Sequence, residues 1–189
     1  MELTRNGLAI IDQIASVITS YNIPLLQRRL LSSEEEFRNV SEDGFPTWVT
    51  PEKRRLLATR RRRIRANIVV AKDGSGKYRT INEALNDIPK RNVKPFVIRI
   101  KEGVYDEIVR INQTNVMIIG DGPQKTKITG NRSFHTGYKT IETATFVAAG
   151  HGFIAKDIGF ENSAGAEGHQ AVALRAHSDL SVFHNCQID

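Results

Sequence analysis

The chain has 189 residues, of which 40% are hydrophobic and 25% are charged. This composition is typical of a globular protein, and it excludes collagen-like, mucin-like and wholly disordered chains. The single cysteine excludes an internal disulfide and a multi-cysteine zinc site. The net charge is +6, but eight of the basic residues fall between positions 53 and 65, so the overall charge says little about the rest of the chain.

Residues 1–31 are predicted to form one amphipathic helix. Apolar residues recur every three or four positions from Leu8 to Ile18, and Pro24 lies where a helix can end. Asp12 interrupts the apolar stretch, so a secretory signal peptide is not predicted in this chain. One apolar helix face must pack on something, and two hypotheses stay open: the end of a helical bundle, or a helix docked on the main domain.

Residues 32–66 are predicted to be a linker. The segment is acidic at 33–36, turn-like at 45–48 and strongly basic from 53 to 65, without apolar periodicity. A basic run of this kind is compatible with a solvated tail, a nucleic-acid arm, a nuclear address or a cleavage site for a basic-specific protease.

From residue 67 onward the sequence predicts short strands separated by Gly, Asn, Asp or Ser. One short helix is predicted over residues 80–88, where Thr80 and Glu83 have the spacing of a capping box. The predicted strands are 67–71, 96–100, 107–111, 115–120, 126–130, 143–149, 152–160, 171–176 and 180–188. The lack of helices between successive strands disfavours a doubly wound α/β fold.

A weak internal repeat favours a solenoid. Residues 153–161 align with residues 181–189 at an offset of 28, which matches Asp157 with Asn185. A period of this size, with a polar residue at the turn, is typical of stacked coils. We therefore expect a parallel β-helix, with a two-sheet sandwich as the alternative.

Four blocks carry a resemblance to a known family, and they occur in the family's order. They are VAKDGSG (70–76), GVYDE (103–107), GFIAKDIGFEN (152–162) and GHQAVALR (168–175). Together they resemble the plant pectin methylesterases. Residues 45–49 and 54–57 resemble the junction between the family's inhibitor-like pro-region and its enzyme domain, and residues 4–30 resemble the last helix of that pro-region.

The resemblance implies an all-β fold, a right-handed parallel β-helix of which the chain holds the N-terminal coils. A single pro-region α-helix (1–31) and a basic linker (32–66) would precede the β-helix domain (67–189). It also implies a secreted protein of the cell wall that hydrolyses the methyl esters of homogalacturonan, without cofactor or metal. The implied partners are pectin, pectinesterase inhibitor proteins and a processing protease. Binding to nucleic acid or to a membrane is not implied.

Site residues follow from the same resemblance. Gln170 corresponds to a family glutamine that donates a hydrogen bond to the oxyanion, and Thr140 to a substrate contact. The junction motif Arg54, Arg55, Leu56 and Leu57 corresponds to the processing site. The family's second glutamine, its orienting arginine and the aspartates that act as nucleophile and as acid and base are expected after Asp189.

Other chemistries are disfavoured by the sequence. The five histidines lack the paired spacing of a zinc protease, and no serine lies in a nucleophile elbow. Asn39, Asn112 and Asn131 begin glycosylation sequons. The alternative to an esterase is a non-catalytic β-solenoid that binds pectin.

We expect the 189-residue chain alone to release no methanol from methylated pectin, because the resemblance assigns none of its carboxylates to catalysis. An assay of methanol release with the purified chain tests this expectation. Turnover above the buffer blank would contradict it.

Overall fold

The computed structural model describes residues 40–41, 44–60 and 63–189. The helix predicted over residues 1–31 lies outside these residues. The chain divides into two units, Met1–Thr50 and Pro51–Asp189. In the first unit, Val40 and Pro46 form an antiparallel bridge. The second unit contains the helices and strands described below.

The second unit is built from short strands in three parallel sheets. The strands are β1 Ile68–Val70, β2 Phe96–Ile100, β3 Gly103–Asp106, β4 Val109–Ile111, β5 Val116–Ile119, β6 Thr126–Gly130, β7 Phe146–Ala148, β8 Ile154–Lys156, β9 Gly159–Asn162, β10 Leu174–Ala176, β11 Val182–His184 and β12 Gln187–Ile188. Their orders are β1-β2-β5-β8-β11, β3-β6-β9-β12 and β4-β7-β10, and each neighbouring pair is parallel. The predicted parallel β-helix is confirmed.

The register between coils confirms the repeat found in the sequence. Ile154 pairs with Val182, and Phe160 pairs with Ile188, both at the offset of 28 residues. At the corner between these strands, the Asn185 side chain donates a hydrogen bond of 2.5 Å to Asp157 Oδ1. Asp157 and Asn185 both have positive φ (57° and 51°), a left-handed conformation that short polar side chains tolerate.

The observed strands differ from the predicted ones at this corner and at Glu107. Segments 152–160 and 180–188 were each predicted as one strand, but each is two strands separated by the corner residue, Asp157 or Asn185. Segment 107–111 is a strand only from Val109, because Glu107 has another role: its carboxylate accepts backbone N–H groups at the start of the short helix α2, Ile81–Leu85. Local propensity does not show these changes of direction.

A stack of aromatic rings fills the interior between the sheets. The ring of Phe146 lies 5.5 Å from that of Phe153 and 4.9 Å from that of Phe160, centroid to centroid, and Phe183 lies 5.8 Å from Phe153. Phe146, Phe153 and Phe160 are fully buried. The register continues this apolar interior into the next coil, because Phe146 pairs with Leu174 and Phe160 pairs with Ile188.

The helix α2, Ile81–Leu85, confirms the helix predicted within residues 80–88. The capping box between Thr80 and Glu83 is present. Glu107 adds a second cap, because its two carboxylate oxygens accept the backbone N–H groups of Ile81 and Asn82 at 2.9 Å. Tyr105 lies inside β3, and burial raises the pKa of its phenol to about 12.

A helix, α1 Pro51–Ala58, lies within residues 32–66, the segment that the sequence predicts to be a linker. Pro51 occupies the first helical position, where its missing N–H costs nothing. Lys53 Nζ donates to Gly152 O at 3.2 Å, and Lys156 Nζ donates to the carbonyls of Leu57 and Thr59. These long-range bonds attach α1 to the residues around β8, which sequence periodicity cannot reveal.

We predict that Phe160→Ala lowers the free energy of unfolding by about 3 to 5 kcal/mol, because it opens a cavity in the aromatic stack. Phe134→Ala is the matched control. Phe134 is 57% exposed, so we expect that change to cost less than about 0.5 kcal/mol. Denaturant unfolding followed by circular dichroism measures both values. Similar losses for the two variants would contradict the stacked core.

Candidate functional site

Two loops lie side by side on the surface of the β-helix and contain both predicted site residues. The first, residues 131–145, connects β6 to β7 and contains Thr140. The second, residues 163–173, connects β9 to β10 and contains Gln170. Phe134 N donates to Gln170 O at 2.9 Å, and His135 N donates to Gly168 O at 3.2 Å. The structure thus brings the backbones of the two loops together.

Asn162, the last residue of β9, fixes both loops to the coil. Its side-chain nitrogen lies 2.9 Å from Arg132 O, 3.1 Å from Thr143 O and 3.2 Å from Val172 O. One amide group therefore satisfies carbonyls from the start and end of the first loop and from the second loop. In the sequence, Asn162 is only the last residue of a family block, so its hydrogen bonds to both loops were not predicted. The available signal was an asparagine at the end of a strand.

Gln170 is an exposed residue on a fixed backbone. Its side-chain amide makes no hydrogen bond with any residue in the described part of the chain, so its N–H groups can donate to a ligand. Thr140 is also exposed and begins a 3-10 turn, Thr140–Glu142. Thr143 Oγ1 donates to Thr140 O at 2.7 Å and stabilises that turn.

A cavity of about 450 Å³ lies between the two loops. Its lining includes Ser133, Thr136, Ser163 and Glu167, so it is polar. His135 is also in the lining, and its ring lies 6.3 Å from that of His169. Across residues 40–41, 44–60 and 63–189 there is no group of His, Cys, Asp and Glu side chains suited to a metal ion.

The first loop also exposes large apolar side chains that the sequence analysis did not single out. Phe134 is 57% exposed and Tyr138 is 37% exposed, and Ile141 beside Thr140 is 53% exposed. The guanidinium of Arg132 lies 4.8 Å from the centroid of the Tyr138 ring. The pattern of these residues gave no signal, because a loop has no periodicity to read.

The predicted processing motif does not lie in these loops. Arg54, Arg55, Leu56 and Leu57 belong to α1, in which Arg55 is exposed and Leu57 is buried. Burial lowers the pKa of the neighbouring Lys53.

Two of the three sequons lie on the surface. Asn112 and Asn131 are exposed, whereas Asn39 lies outside the described residues. Within the described residues, no helix is long and apolar enough to cross a bilayer.

The chain is similar to proteins of known family over most of its length. The sequence model described as "Pectinesterase" matches residues 67–189. The chain is 54% identical to probable pectinesterase/pectinesterase inhibitor 58 of Arabidopsis thaliana, over 100% of the chain and 33% of that protein. It is 46% identical to pectinesterase 3 of Phaseolus vulgaris, over 100% of the chain and 31% of that protein.

Solved structures agree with these relatives. A pectin methylesterase from carrot aligns with a TM-score of 0.64 and 48% identity, over 65% of this chain and 39% of the carrot chain. A pectin methylesterase in complex with a hexasaccharide aligns with a TM-score of 0.59 and 27% identity, over 64% of this chain and 42% of the other. The chain spans about a third of the length of the curated relatives named above.

Proposed function

Because the chain belongs to the pectinesterase family, we propose that its two loops bind methyl-esterified homogalacturonan and that Gln170 takes part in hydrolysis of the methyl ester. The observation that carries this proposal is the position of Gln170: its side chain is exposed, while its backbone carbonyl accepts a hydrogen bond from Phe134 N in the opposite loop. Thr140, in the facing loop, is proposed to contact the substrate.

In the proposed chemistry, Gln170 contributes an N–H donor that is held in position at the ester carbonyl. When a nucleophile attacks an ester carbonyl, negative charge develops on the carbonyl oxygen. A preorganised N–H donor stabilises this oxyanion more than the uncharged ester, so the donor lowers the barrier. The resemblance assigns the nucleophilic and acid carboxylates to none of the 189 residues. Gln170 is proposed to hold the ester on which such carboxylates act.

The proposed location is the cell wall, reached by secretion, and the proposed partners are pectin and pectinesterase inhibitor proteins. Support comes from the relatives' names, which include both pectinesterase and pectinesterase inhibitor, and from the hexasaccharide bound to a similar structure. A non-catalytic pectin-binding solenoid is the alternative, and the experiment below separates the two.

We predict that Gln170→Ala lowers kcat about 100-fold in a chimera in which residues 67–189 replace the matching part of the carrot enzyme. The chimera supplies the carboxylates, and methanol release from methylated pectin gives the rate. Gln124→Ala, a change at an exposed turn residue between β5 and β6, is the matched control and should keep the full rate. Equal rates for both variants would contradict the role of Gln170. Pectin binding without methanol release by the unsubstituted chimera would favour the alternative.

The processing site at Arg54–Arg55–Leu56–Leu57 is a second part of the proposal. A protease needs an extended segment, whereas this one is helical and attached by Lys53 and Lys156. Cleavage after Arg55 would therefore require local unfolding of α1, and the lysine bonds would set how often that occurs.

We predict that Lys156→Met accelerates trypsin cleavage after Arg55 about tenfold, because α1 loses the bonds to Leu57 O and Thr59 O. Lys127→Met is the control: Lys127 pairs with Glu161 at 2.9 Å, and this ion pair does not involve α1. Mass spectrometry of the released peptide gives both rates. An unchanged rate in Lys156→Met would show that these bonds do not protect the site.

A further inference from the structure

The glycosylation sequons are motifs of the sequence that have no role in the proposed hydrolysis. Two of them lie in the described residues, at 112–114 and 131–133. A sequon needs two side chains: the asparagine amide receives the sugar, and the hydroxyl of the third residue is required for the transfer. The environment of these side chains therefore distinguishes the two sequons.

Both side chains of the first sequon are open to solvent. Asn112 and Thr114 are exposed, in the turn between β4 and β5. In the part of the chain that the structure describes, they form hydrogen bonds through main-chain atoms and not through their side chains. Asn112 N donates to Gln113 Oε1 at 3.2 Å, and Thr114 O accepts from Asn92 Nδ2 at 3.1 Å. The sequon thus presents the amide and the hydroxyl on a supported backbone.

The third residue of the second sequon, Ser133, is closed instead. Ser133 is 1% exposed. Its hydroxyl lies 3.3 Å from Thr136 Oγ1 and accepts a hydrogen bond from Thr136 N at 3.3 Å. Ser133 N also donates to Thr136 Oγ1 at 3.0 Å, and Thr136 Oγ1 donates to Ser133 O at 2.9 Å. Because these contacts join residues three positions apart, the turn can close soon after the segment is synthesised, before the coils stack.

The two asparagines also differ in where a glycan would lie after folding. Because the sheet β4-β7-β10 is parallel, the loops 131–145 and 163–173 enter it at the starts of β7 and β10, whereas Asn112 follows the end of β4. Asn131 lines the cavity between the two loops. A glycan on Asn112 would therefore leave the loops open, whereas a glycan on Asn131 would fill that cavity.

We infer that Asn112 is an acceptor for N-linked glycosylation and that Asn131 is not. The co-reactant is an oligosaccharide linked to a lipid diphosphate. The bond from its first sugar to the diphosphate breaks, a bond from that sugar to Asn112 Nδ2 forms, the amide nitrogen loses one proton, and the lipid diphosphate leaves. The inference rests on the secreted location in the proposed function, but not on the role of Gln170.

The test places a secretory leader before the 189-residue chain and translates it in the presence of microsomes. Peptide N-glycosidase converts each occupied asparagine to aspartate, and mass spectrometry then gives the occupancy of each sequon. Asn131 should have less than about a tenth of the occupancy of Asn112, because several hydrogen bonds close the turn at Ser133. Thr114→Val removes the required hydroxyl and should abolish occupancy of Asn112, whereas the matched control Thr114→Ser keeps the hydroxyl and should retain it.

Thr136→Val removes the side-chain oxygen that holds Ser133, so it should raise the occupancy of Asn131 about threefold and leave that of Asn112 unchanged. An unoccupied Asn112 would overturn the inference, and so would equal occupancy of both asparagines. An unchanged Asn131 in Thr136→Val would contradict selection by the Ser133 turn. Occupancy does not depend on pectin, so a failure here leaves the proposed hydrolysis in place, and the Gln170→Ala chimera tests that hydrolysis separately.

Discussion

The register between successive coils is the constraint on which the rest of this domain depends. Each coil hydrogen-bonds to the next in parallel, so a residue keeps its position on the sheet only if both coils turn at the same point. The turn between β8 and β9 is made by Asp157, and the turn one coil later is made by Asn185, which is bonded to it. A one-residue shift would move the phenylalanines out of the interior.

The site depends on that register through Asn162. The two loops leave the coil near strand ends whose spacing the ladder fixes, and the amide of Asn162 then binds carbonyls of both. The side chains of Thr140 and Gln170, which are exposed, and of Arg132, which is half-buried, therefore extend from a backbone whose carbonyl groups are already hydrogen-bonded. Because the loop backbone is already fixed, little conformational entropy of the loops is lost when a ligand binds.

Much of the fold could be predicted from the sequence, because stacking repeats a pattern. The offset of 28 residues and the polar corner residues gave the coil and its register, and the capping box at Thr80 gave the short helix. Features that tertiary contacts decide could not be predicted. Helix α1 depends on bonds from Lys53 and Lys156 to distant partners, and a corner inside segment 152–160 divides what local propensity makes one strand.

The candidate site was less accessible to sequence reasoning. Gln170 and Thr140 came from resemblance to a family, not from a physical pattern, and their roles stay predictions. Phe134, Tyr138 and Arg132 could not be found at all. The contact between Arg132 and Tyr138 depends on the turn closed by Ser133 and Thr136. A loop sequence has no periodicity from which such a contact could be predicted.

The bonds made by Asn162 are to main-chain oxygens, which every residue type supplies. The tips of both loops can therefore exchange side chains over evolutionary time without loosening their common base. A single polar residue at the base of both loops would let the loop tips vary in sequence while the backbone geometry stays constant, and it marks the tips as the place to redesign ligand binding.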